Sequence, residues 1–487
     1  MAGAAKKMRR ALETGAAVDD DQRLGARHPD TGRLILDPKR TVPTAEAFVG
    51  EFHGHADGTT LRSHHGQFLE WGANHWTEVS DAALRSRIQP WLHRAHALKI
   101  DSKGVARIED FEANPTTVNQ ALESIRNHTH LADDTAAPCW LDQRPAPAPR
   151  ELIACRSSIL HVPTGRTLPP TPLFFTPAAL PFDYNPAAPA PAQWLAFIDD
   201  IFEDDQEAKD LLGELFGYVL TGDTSQQKMG MIVGPIRSGK GTIGRVLREL
   251  VGTANVANPT TASLAGPFGL QPLLHKSLAI VSDARFSGEA TAIVIERLLN
   301  ISGEDPLTVD RKFLPSVHGR LPVRFIFLTN ELPRLKDAST AIASRFLILR
   351  LTKSYFDHED TALTEKLLAE LPGILNWSIQ GWRRLHARGR FQQPVSAAQA
   401  LQDLADLASP ISAFVRERCI TGPGHRVDVD RLYDAWKSWC EADGRSGAGT
   451  KQSLGKEIMA AVPGIRSRRG TDQGRFYEGI ALRGVTS

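Results

Sequence analysis

The sequence predicts an α/β protein whose central part is a parallel sheet that binds a polyphosphate. Residues 229–233, 278–282 and 323–329 are apolar runs of strand length. Helical patterns follow the first and second runs, at residues 243–250 and 292–301. Strands that alternate with helices predict a parallel sheet with helices packed against its faces.

The loop after the first predicted strand has a phosphate-binding pattern. Glycines let its backbone curl so that N–H groups point at phosphate oxygens, and the helix that follows adds its positive N-terminal end. Lys240 can reach the terminal phosphates as a point charge. The residues predicted to hold these phosphates are Gly234, Pro235, Ser238, Gly239, Lys240, Gly241 and Thr242. The alternative is a glycine turn before an ordinary helix.

The loop departs from the usual pattern, GxxxxGK followed by Ser or Thr, at one position. Gly241 stands where the hydroxyl residue is expected, and Thr242 comes one residue later. We expect Thr242 to supply the hydroxyl that meets Mg²⁺, directly or through water.

A carboxylate and an amide follow the next two predicted strands. Ligands collect at the carboxyl ends of parallel strands, so Asp283 is placed to organise Mg²⁺ and Asn330 to orient water against a γ-phosphate. Each could instead be a polar residue that ends a strand. Ala284 follows Asp283 where a glutamate would usually polarise the attacking water. The identity of the general base is therefore open. Either Asp283 both organises Mg²⁺ and activates the water, or Glu304 or Asp305 helps to activate the water.

Arg345 precedes a further predicted strand at residues 347–351. An arginine at this position could reach the nucleotide of a neighbouring subunit as an arginine finger. A surface or salt-bridge role is the alternative.

Composition limits the class of protein. The chain has 487 residues, which predicts about two to four domains. The formal net charge is +1, so any basic surface must be local. There is no apolar run long enough to span a bilayer, and no apolar core follows the basic residues 6–10, so a cytoplasmic protein is expected. Four cysteines without metal-ligand spacing are expected to be reduced thiols: Cys139, Cys155, Cys419 and Cys440.

Five segments are similar, in their order, to superfamily three helicases: GPIRSGKGT, LAIVSDAR, ISGEDPLTVDRKF, FIFLTNELPRL and ASRFLILRL. Those are AAA+-like ring ATPases of viruses, phages and plasmids. The chain most resembles the helicase part of phage and plasmid primase-helicases of the poxvirus-type branch, from about residue 45 to its end. The resemblance implies ATP and Mg²⁺ as cofactors and a homo-hexamer that pulls one DNA strand through a central pore.

The resemblance also implies that a hairpin at residues 308–324 contacts the DNA strand. Its candidates to touch phosphate are Arg311, Lys312 and His318, with a solvated charged turn as the alternative for each. The segment ahead of the helicase part is too short for a fused primase domain, so a separate primase is an expected partner.

The C-terminal residues 408–487 are predicted to form a winged-helix domain, from the order helix, strand, helix, helix and two-stranded wing. Asp430 is expected to cap the second helix. Basic residues concentrate on the third helix and the wing, where a duplex would dock through its phosphates. These residues are Lys451, Lys456, Arg466, Arg468, Arg469 and Arg475. A basic face that serves subunit contacts is the alternative.

The predicted fold is therefore a P-loop AAA+-like ATPase core between an N-terminal mixed α/β domain and a C-terminal winged-helix domain. The segments are a flexible arm at 1–40, the mixed domain at 41–142, proline-rich strands and a connector at 143–192, a helical segment at 193–222, the ATPase domain at 223–405 and the winged helix at 408–487. Five histidines in the N-terminal domain are expected to be solvated or core residues, with a metal site as the alternative: His53, His55, His64, His65 and His75.

The sequence thus predicts an ATP-dependent DNA helicase that acts on single-stranded and forked DNA in replication of a phage, plasmid or other mobile element, in a bacterial host or phage-infected cell. Two alternatives remain. One is an initiator that binds an origin and uses ATP only to assemble. The other, less favoured, is a small-molecule kinase, because GKGT also occurs in nucleotide kinases.

Overall fold

The computed structural model describes residues 24–100, 106–284, 286, 290–333, 340–442, 448–462, 464–469 and 474–484. The first 23 residues of the predicted arm lie outside these ranges, as does most of the glycine-rich loop at 443–447. The chain divides into two compact units. One comprises Met1–Pro186 and Thr308–Gly319, and the other Ala187–Leu307 and Arg320–Ser487.

Among its described residues, the first unit contains short strands and three α-helices. In chain order these are β1 (Ile35–Leu36), α1 (Thr41–Phe52), β2 (Gly54–His55), β3 (Gly58–Thr59), β4 (Leu61–His64), β5 (Gln67–Trp71), β6 (Trp76–Val79), α2 (Asp81–His93), β7 (His96–Ile100), β8 (Ala106–Asp110), α3 (Pro115–His128), β9 (Cys139–Trp140), β10 (Leu152–Ala154), β11 (Ile159–His161), β12 (Arg166–Leu168) and β13 (Phe174–Phe175). The three helices and the sheet β1–β7–β8 share one hydrophobic core.

Two predictions in this unit need correction. The arm predicted at 1–40 is ordered in its second half, because Ile35 and Leu36 are fully buried and β1 pairs in parallel with β7. Apolar spacing over residues 82–98 predicts a single helix, but α2 ends at His93, and residues 96–100 form β7 instead. Strand partners on both sides of β7 override the helical pattern there, since β7 lies between β1 and β8.

The second unit contains a parallel five-stranded sheet. The elements from residue 192 to 350 are α4 (Ala192–Phe202), α5 (Gln206–Leu220), β14 (Met229–Val233), α6 (Lys240–Val251), β15 (Val256–Ala257), α7 (Thr261–Ala265), β16 (Leu278–Ser282), α8 (Ala290–Ser302), β17 (Leu307–Arg311), β18 (Leu314–Gly319), β19 (Arg324–Thr329), α9 (Thr340–Arg345) and β20 (Phe346–Arg350). The strand order is β15–β16–β19–β14–β20. The mixed α/β class with a parallel sheet is confirmed.

All four pairings in this sheet are parallel, so its strands present their carboxyl ends at one edge. β14 lies between β19 and β20, and its five residues are buried. The loop after β14 therefore emerges at that edge beside the end of β19, and the end of β16 is one strand further away.

Helices α10 (Leu363–Leu368), α11 (Leu371–Arg388) and α12 (Ala398–Ala408) follow the sheet. Apolar spacing predicts helical structure over residues 357–388, but residues 357–362 are not helical. Helix α11 packs against α5 through glycines. A Cβ on Gly381 would lie 2.1 Å from the Gly213 carbonyl oxygen, and one on Gly217 would lie 2.3 Å from the Ser378 carbonyl oxygen. Only residues without a side chain allow this approach of the two backbones.

The C-terminal part has the predicted order of elements. These are α13 (Pro410–Arg418), β21 (Cys419–Asp428), α14 (Val429–Ala442), α15 (Lys451–Ala461), β22 (Arg466–Arg469) and β23 (Arg475–Leu482). The sheet order is β21–β23–β22, and both pairings are antiparallel. The predicted cap Asp430 is wrong, because α14 begins at Val429 and Asp428 Oδ1 accepts the N–H groups of Asp430 and Arg431.

Across the described residues, no helix combines the length and the apolar character needed to cross a membrane.

Candidate nucleotide-binding site

The loop between β14 and α6 is curled by two glycines. Gly239 has a φ of 91°, in the left-handed region, and a Cβ there would lie 3.1 Å from Phe197 Cζ. A Cβ on Gly234 would lie 2.8 Å from the Leu351 carbonyl oxygen. Any other residue at these positions would strain the backbone or collide with it. The sequence therefore folds this loop tightly against its neighbours, directly before the N-terminus of α6.

Lys240, the first residue of α6, folds back over the loop. Its Nζ donates to the carbonyl oxygens of Gly234 and Pro235, both at 2.6 Å, and to Ser238 Oγ at 3.2 Å. Burial lowers the pKa of Lys240, and the nearby Asp283 carboxylate opposes this shift. The ammonium is thus half-buried, close to Asp283, and solvated by loop oxygens. These contacts can be exchanged for phosphate oxygens at little cost, since both sets are hydrogen-bond acceptors.

A cavity of about 870 Å³ opens beside the loop at the carboxyl edge of the sheet. Lys240, Thr242, Asp283 and Asn330, which lie far apart in the sequence, all line it. Its volume is within the range of known small-molecule sites. Thr242 and Asp283 offer the oxygen ligands that Mg²⁺ prefers, and Asn330 places an amide between the ends of β14 and β16. These residues fit a nucleoside triphosphate with its Mg²⁺.

The remaining walls come from α4, from residues 353–360, which we call the strap, and from Thr361 and the start of α10. Ser354 Oγ donates to the Ile236 carbonyl oxygen at 2.7 Å, and the Tyr355 N–H donates to the Arg237 carbonyl oxygen at 2.9 Å. Arg237 is in turn 3.1 Å from Glu359. The strap therefore holds the tip of the phosphate loop. Sequence reasoning missed it; the only signal was a polar run without helical periodicity after the last strand.

The strap also forms hydrogen bonds with Asp200, near the end of α4. Tyr355 Oη donates to Asp200 Oδ2 at 2.7 Å, and Lys353 Nζ donates to Asp200 Oδ1 at 3.1 Å. The Tyr355 hydrogen bond is the main cause that lowers the pKa of Asp200, while burial raises the pKa of Tyr355 to about 12. Both groups keep their ordinary charge states at neutral pH, so this contact persists there.

The three other carboxylates of the cavity wall are engaged within the protein. Asp200 bonds Tyr355 and Lys353, Glu359 pairs with Arg237, and Asp360 accepts from Lys366 at 2.8 Å. The predicted helpers Glu304 and Asp305 are not part of this wall. Glu304 instead accepts a hydrogen bond from Thr224. Asp283, near Lys240, is therefore the remaining carboxylate of the described cavity wall.

Arg345 lies at the opposite edge of the sheet. It directly precedes β20, whose first residue pairs with the first residue of β14, so it is at the amino ends of the strands. Its Nη1 donates to the Gln227 side chain, and Gln227 Nε2 donates to the Gly303 carbonyl oxygen at 3.1 Å. Arg345 therefore cannot reach the cavity of its own chain. A role at a neighbouring subunit's nucleotide stays a prediction.

The hairpin β17–β18 lies mostly in the first unit, although the chain on either side of it belongs to the second. Arg311 was a predicted phosphate contact, but it is only 5% exposed. Its guanidinium donates to the carbonyl oxygens of Pro315 and His65 and to Gln67 Oε1, at 2.7, 2.8 and 2.8 Å. Its donors are used within the unit, so Arg311 holds the hairpin against β5 instead of facing a ligand.

The tip of the hairpin is exposed. Phe313 is 92% exposed with a φ of 63°, and Lys312 Nζ lies 5.1 Å from its ring centroid. His318 Nδ1 is 2.9 Å from Thr308 Oγ1, on the exposed side. Sequence reasoning overlooked Phe313, although an aromatic residue beside two basic residues in a turn was a visible signal.

The six basic residues that are predicted to bind DNA in the C-terminal part divide into two groups. Lys451 donates to Asp430 at 2.5 Å, and Arg468 pairs with Glu478 at 3.1 Å. The other four are exposed and, within the ranges described by the structure, have no carboxylate at ion-pair distance. They are Lys456, Arg466, Arg469 and Arg475.

The N-terminal histidines include both buried and exposed side chains. His53 is 1% exposed and lies 3.7 Å from Glu70, whereas His55 is exposed. In the part of the chain that the structure describes, no group of three or more His, Cys, Asp or Glu side chains is arranged to hold a metal ion. All four cysteines lie in the described ranges, and none of them forms a disulfide.

Comparison with known proteins agrees with this architecture. Residues 45–203 match the family described as D5 N terminal like, and residues 232–345 match a family of unknown function, DUF5906. The apo structure of the NrS-1 C terminal region (305-718) has a TM-score of 0.51 at 11% identity, over 86% of this chain and 96% of that one. Its A form has a TM-score of 0.48 at 12% identity, over 87% and 97%.

The NrS-1 likeness at a TM-score of 0.51 shows a shared fold. The D5 N terminal like segment supports a relation to phage-type replication enzymes of the primase-helicase kind. The chain is thus an α/β protein with a parallel sheet, and its residues 45–203 are similar to the D5 N terminal like family.

Proposed function

We propose that this protein is an ATP-dependent, ring-forming DNA helicase for the replication of a phage, plasmid or other mobile element. The observation that carries the proposal is the cavity at the carboxyl edge of the sheet. It brings Lys240, Thr242, Asp283 and Asn330 together around a curled glycine loop. This combination offers a cation, two oxygen ligands and a polar amide at one helix N-terminus, as hydrolysis of a nucleoside triphosphate requires.

Each residue has a distinct role in this proposal. Lys240 exchanges its loop carbonyl partners for the terminal phosphates, while the loop N–H groups hold the remaining phosphate oxygens. Thr242 and Asp283 hold Mg²⁺ or its waters, which neutralise charge on the phosphates. Asn330 orients the attacking water. Asp283, which lines the same cavity, accepts the proton of that water. Arg345, at the opposite edge of the sheet, contacts the nucleotide of the next subunit in a hexameric ring.

The proposed contacts with DNA come from two places. Lys312 and His318 on the hairpin bind phosphates of a single strand, and the exposed ring of Phe313 can stack on a base. The exposed arginines of the C-terminal part bind the phosphates of the duplex at a fork. This part is proposed to be a winged helix, with α15 as the helix that faces DNA.

The test is ATP hydrolysis with and without single-stranded DNA, followed by strand displacement on a forked duplex. We expect hydrolysis that single-stranded DNA stimulates, and displacement that requires ATP. Lys240→Ala should lose both activities. Lys276→Ala removes another lysine of the same unit, which donates to the Ala254 carbonyl oxygen outside the cavity, and should keep them. A wild-type chain that fails to bind ATP would falsify the proposal.

A second candidate is an initiator that binds ATP to assemble on an origin but does not unwind DNA. One observation favours it: Ala284 follows Asp283, and Glu304, which could have replaced the missing acid, is bound to Thr224 instead. ATP binding and ATP-dependent assembly on duplex DNA, with no turnover under the conditions above, would support the initiator over the helicase.

A further inference from the structure

Arg245 reaches the cavity from the second turn of α6. Long side chains on a helix point back towards its N-terminus, and this one extends over the first turn. Its Nη1 lies 3.4 Å from the position that a Cβ on Gly241 would take. Its Nη2 donates to Thr242 Oγ1 at 3.2 Å, and its Nε donates to Thr364 Oγ1 at 3.3 Å. The guanidinium therefore lies against the space that the missing side chain at position 241 leaves open.

Within the described part of the chain, the charge of Arg245 has no counter-ion. Its hydrogen-bond partners are two neutral hydroxyls, and among the described residues no carboxylate lies at ion-pair distance from it. Arg248, one turn further along the same helix, is by contrast paired with Glu249 at 3.0 Å. A cation near a helix N-terminus is unfavourable, because the helix dipole is positive there. An anion in the cavity would relieve this repulsion from both Arg245 and Lys240.

We propose that Arg245 is a second phosphate-binding cation of the nucleotide site and takes over part of the charge neutralisation that Mg²⁺ usually supplies. The inference rests on the proposed ATP site. The physical reason lies at position 241, where Gly replaces the hydroxyl residue that usually meets Mg²⁺. The glycine removes that hydroxyl and admits a guanidinium, which binds phosphate oxygens in a bidentate way. Nucleotide binding by this chain should therefore depend weakly on Mg²⁺.

The test measures the affinity for a fluorescent ATP analogue by titration, once with Mg²⁺ and once with EDTA. The wild-type chain should keep its affinity in EDTA within about tenfold of its value in Mg²⁺. Arg245→Gln should lose about 10- to 100-fold in EDTA and clearly less in Mg²⁺, because a charge-assisted bidentate contact is removed. Arg248→Gln is the matched control on the same helix and should bind like wild type in both buffers.

Two further measurements identify the contact. Inorganic tripolyphosphate should displace the analogue from the wild-type chain, and about tenfold more of it should be needed for Arg245→Gln. Arg245→Lys keeps the charge and should recover part of the affinity in EDTA. It also keeps the inference testable if the Gln variant does not fold.

The outcomes separate this inference from the proposed function. If the wild-type chain binds nucleotide and Arg245→Gln binds equally well in EDTA, the role of Arg245 is overturned while the site stands. Equal losses in the two buffers overturn the Mg²⁺-sparing role. If the wild-type chain and Arg248→Gln both fail to bind nucleotide in either buffer, the nucleotide site itself is wrong.

Discussion

At the scale of single residues, the same side-chain type has different roles according to what surrounds it. Arg311 is buried and bonds three oxygens of its own unit, whereas the neighbouring Lys312 stands beside the exposed ring of Phe313. Burial lowers the pKa of Arg311, and the nearby Glu78 carboxylate opposes this shift. A buried cation of this kind stabilises the fold only while its hydrogen-bond partners are present.

We predict that Arg311→Ala lowers the free energy of unfolding by about 2–4 kcal/mol, because it leaves buried acceptors without donors. Lys312→Ala should change it by less than about 0.5 kcal/mol, as expected for an exposed position. Urea unfolding followed by tryptophan fluorescence measures both.

The same pair separates structure from DNA binding. Lys312→Ala should weaken binding of single-stranded DNA. The difference in affinity between this variant and the wild type should become smaller as the salt concentration rises. Equal stability of the two variants would contradict the role assigned to Arg311.

At the scale of elements, the helix pair α5–α11 depends on glycine. The Gly381 Cα faces the Gly213 backbone so closely that an added Cβ would lie 2.1 Å from its carbonyl oxygen. The obstacle is backbone, which cannot move aside as a flexible side chain could. Helix α5 directly precedes β14 in the chain and α11 follows the sheet, so their contact stabilises the unit that contains the site.

We predict that Gly381→Ala destabilises the second unit by about 1–3 kcal/mol, because the two helices must move apart. Gly50→Ala is the matched control. Gly50 is also inside a helix, α1, but a Cβ there would meet nothing within 4 Å. That change should raise stability by about 0.5–1 kcal/mol, through the higher helix propensity of alanine. Thermal unfolding of the two variants gives the comparison, and a loss for Gly50→Ala or none for Gly381→Ala contradicts it.

A second element-scale prediction concerns the β22–β23 wing. Replacing Arg466, Arg469 and Arg475 together with Gln should weaken duplex binding and lower the slope of log affinity against log salt by up to about 3, close to 0.9 for each phosphate contact. Arg468→Gln is the control. Arg468 lies on β22 like Arg466 and Arg469, but it is paired with Glu478, so its replacement should change the slope less. Fluorescence anisotropy at several salt concentrations measures it. An unchanged slope for the triple variant would place DNA binding elsewhere.

At the scale of the whole molecule, buried histidines make the first unit sensitive to acid. Burial is the main cause that lowers the pKa of His53, His65 and His75 below their usual 6.5. For His53 the nearby Glu70 opposes this shift and Arg87 adds to it. For His65 the shift is opposed by Asp133 and increased by Arg311 and His318.

The folded state therefore disfavours the protonated form of these histidines. Their contribution to stability is complete above about pH 6.5 and is lost as the pH falls through the lowered pKa values. We predict a lower thermal unfolding midpoint of the first unit at pH 5.5 than at pH 7.5. His53→Gln should reduce this difference, and His93→Gln, at an exposed position of α2, should leave it unchanged. An equal or higher midpoint at pH 5.5 contradicts the prediction.

Local patterns predicted much of the fold. The three apolar strands, the helices α4, α5, α6 and α8 and the order of elements in the C-terminal part follow from apolar periodicity, glycine and proline positions and caps, which act over a few residues. The arm, the end of α2 and the strap were mispredicted or missed, because each takes its structure from partners far away in the chain.

The sequence by itself determined the glycine loop before α6 and the polar residues that end two buried strands, because each is a property of adjacent residues. Only the tertiary structure decided which charges are free. It buried Arg311, placed Arg345 at the far edge of the sheet, laid Arg245 over Gly241 and left Phe313 exposed. The physical reason is that exposure and charge pairing depend on long-range packing, which no local pattern encodes.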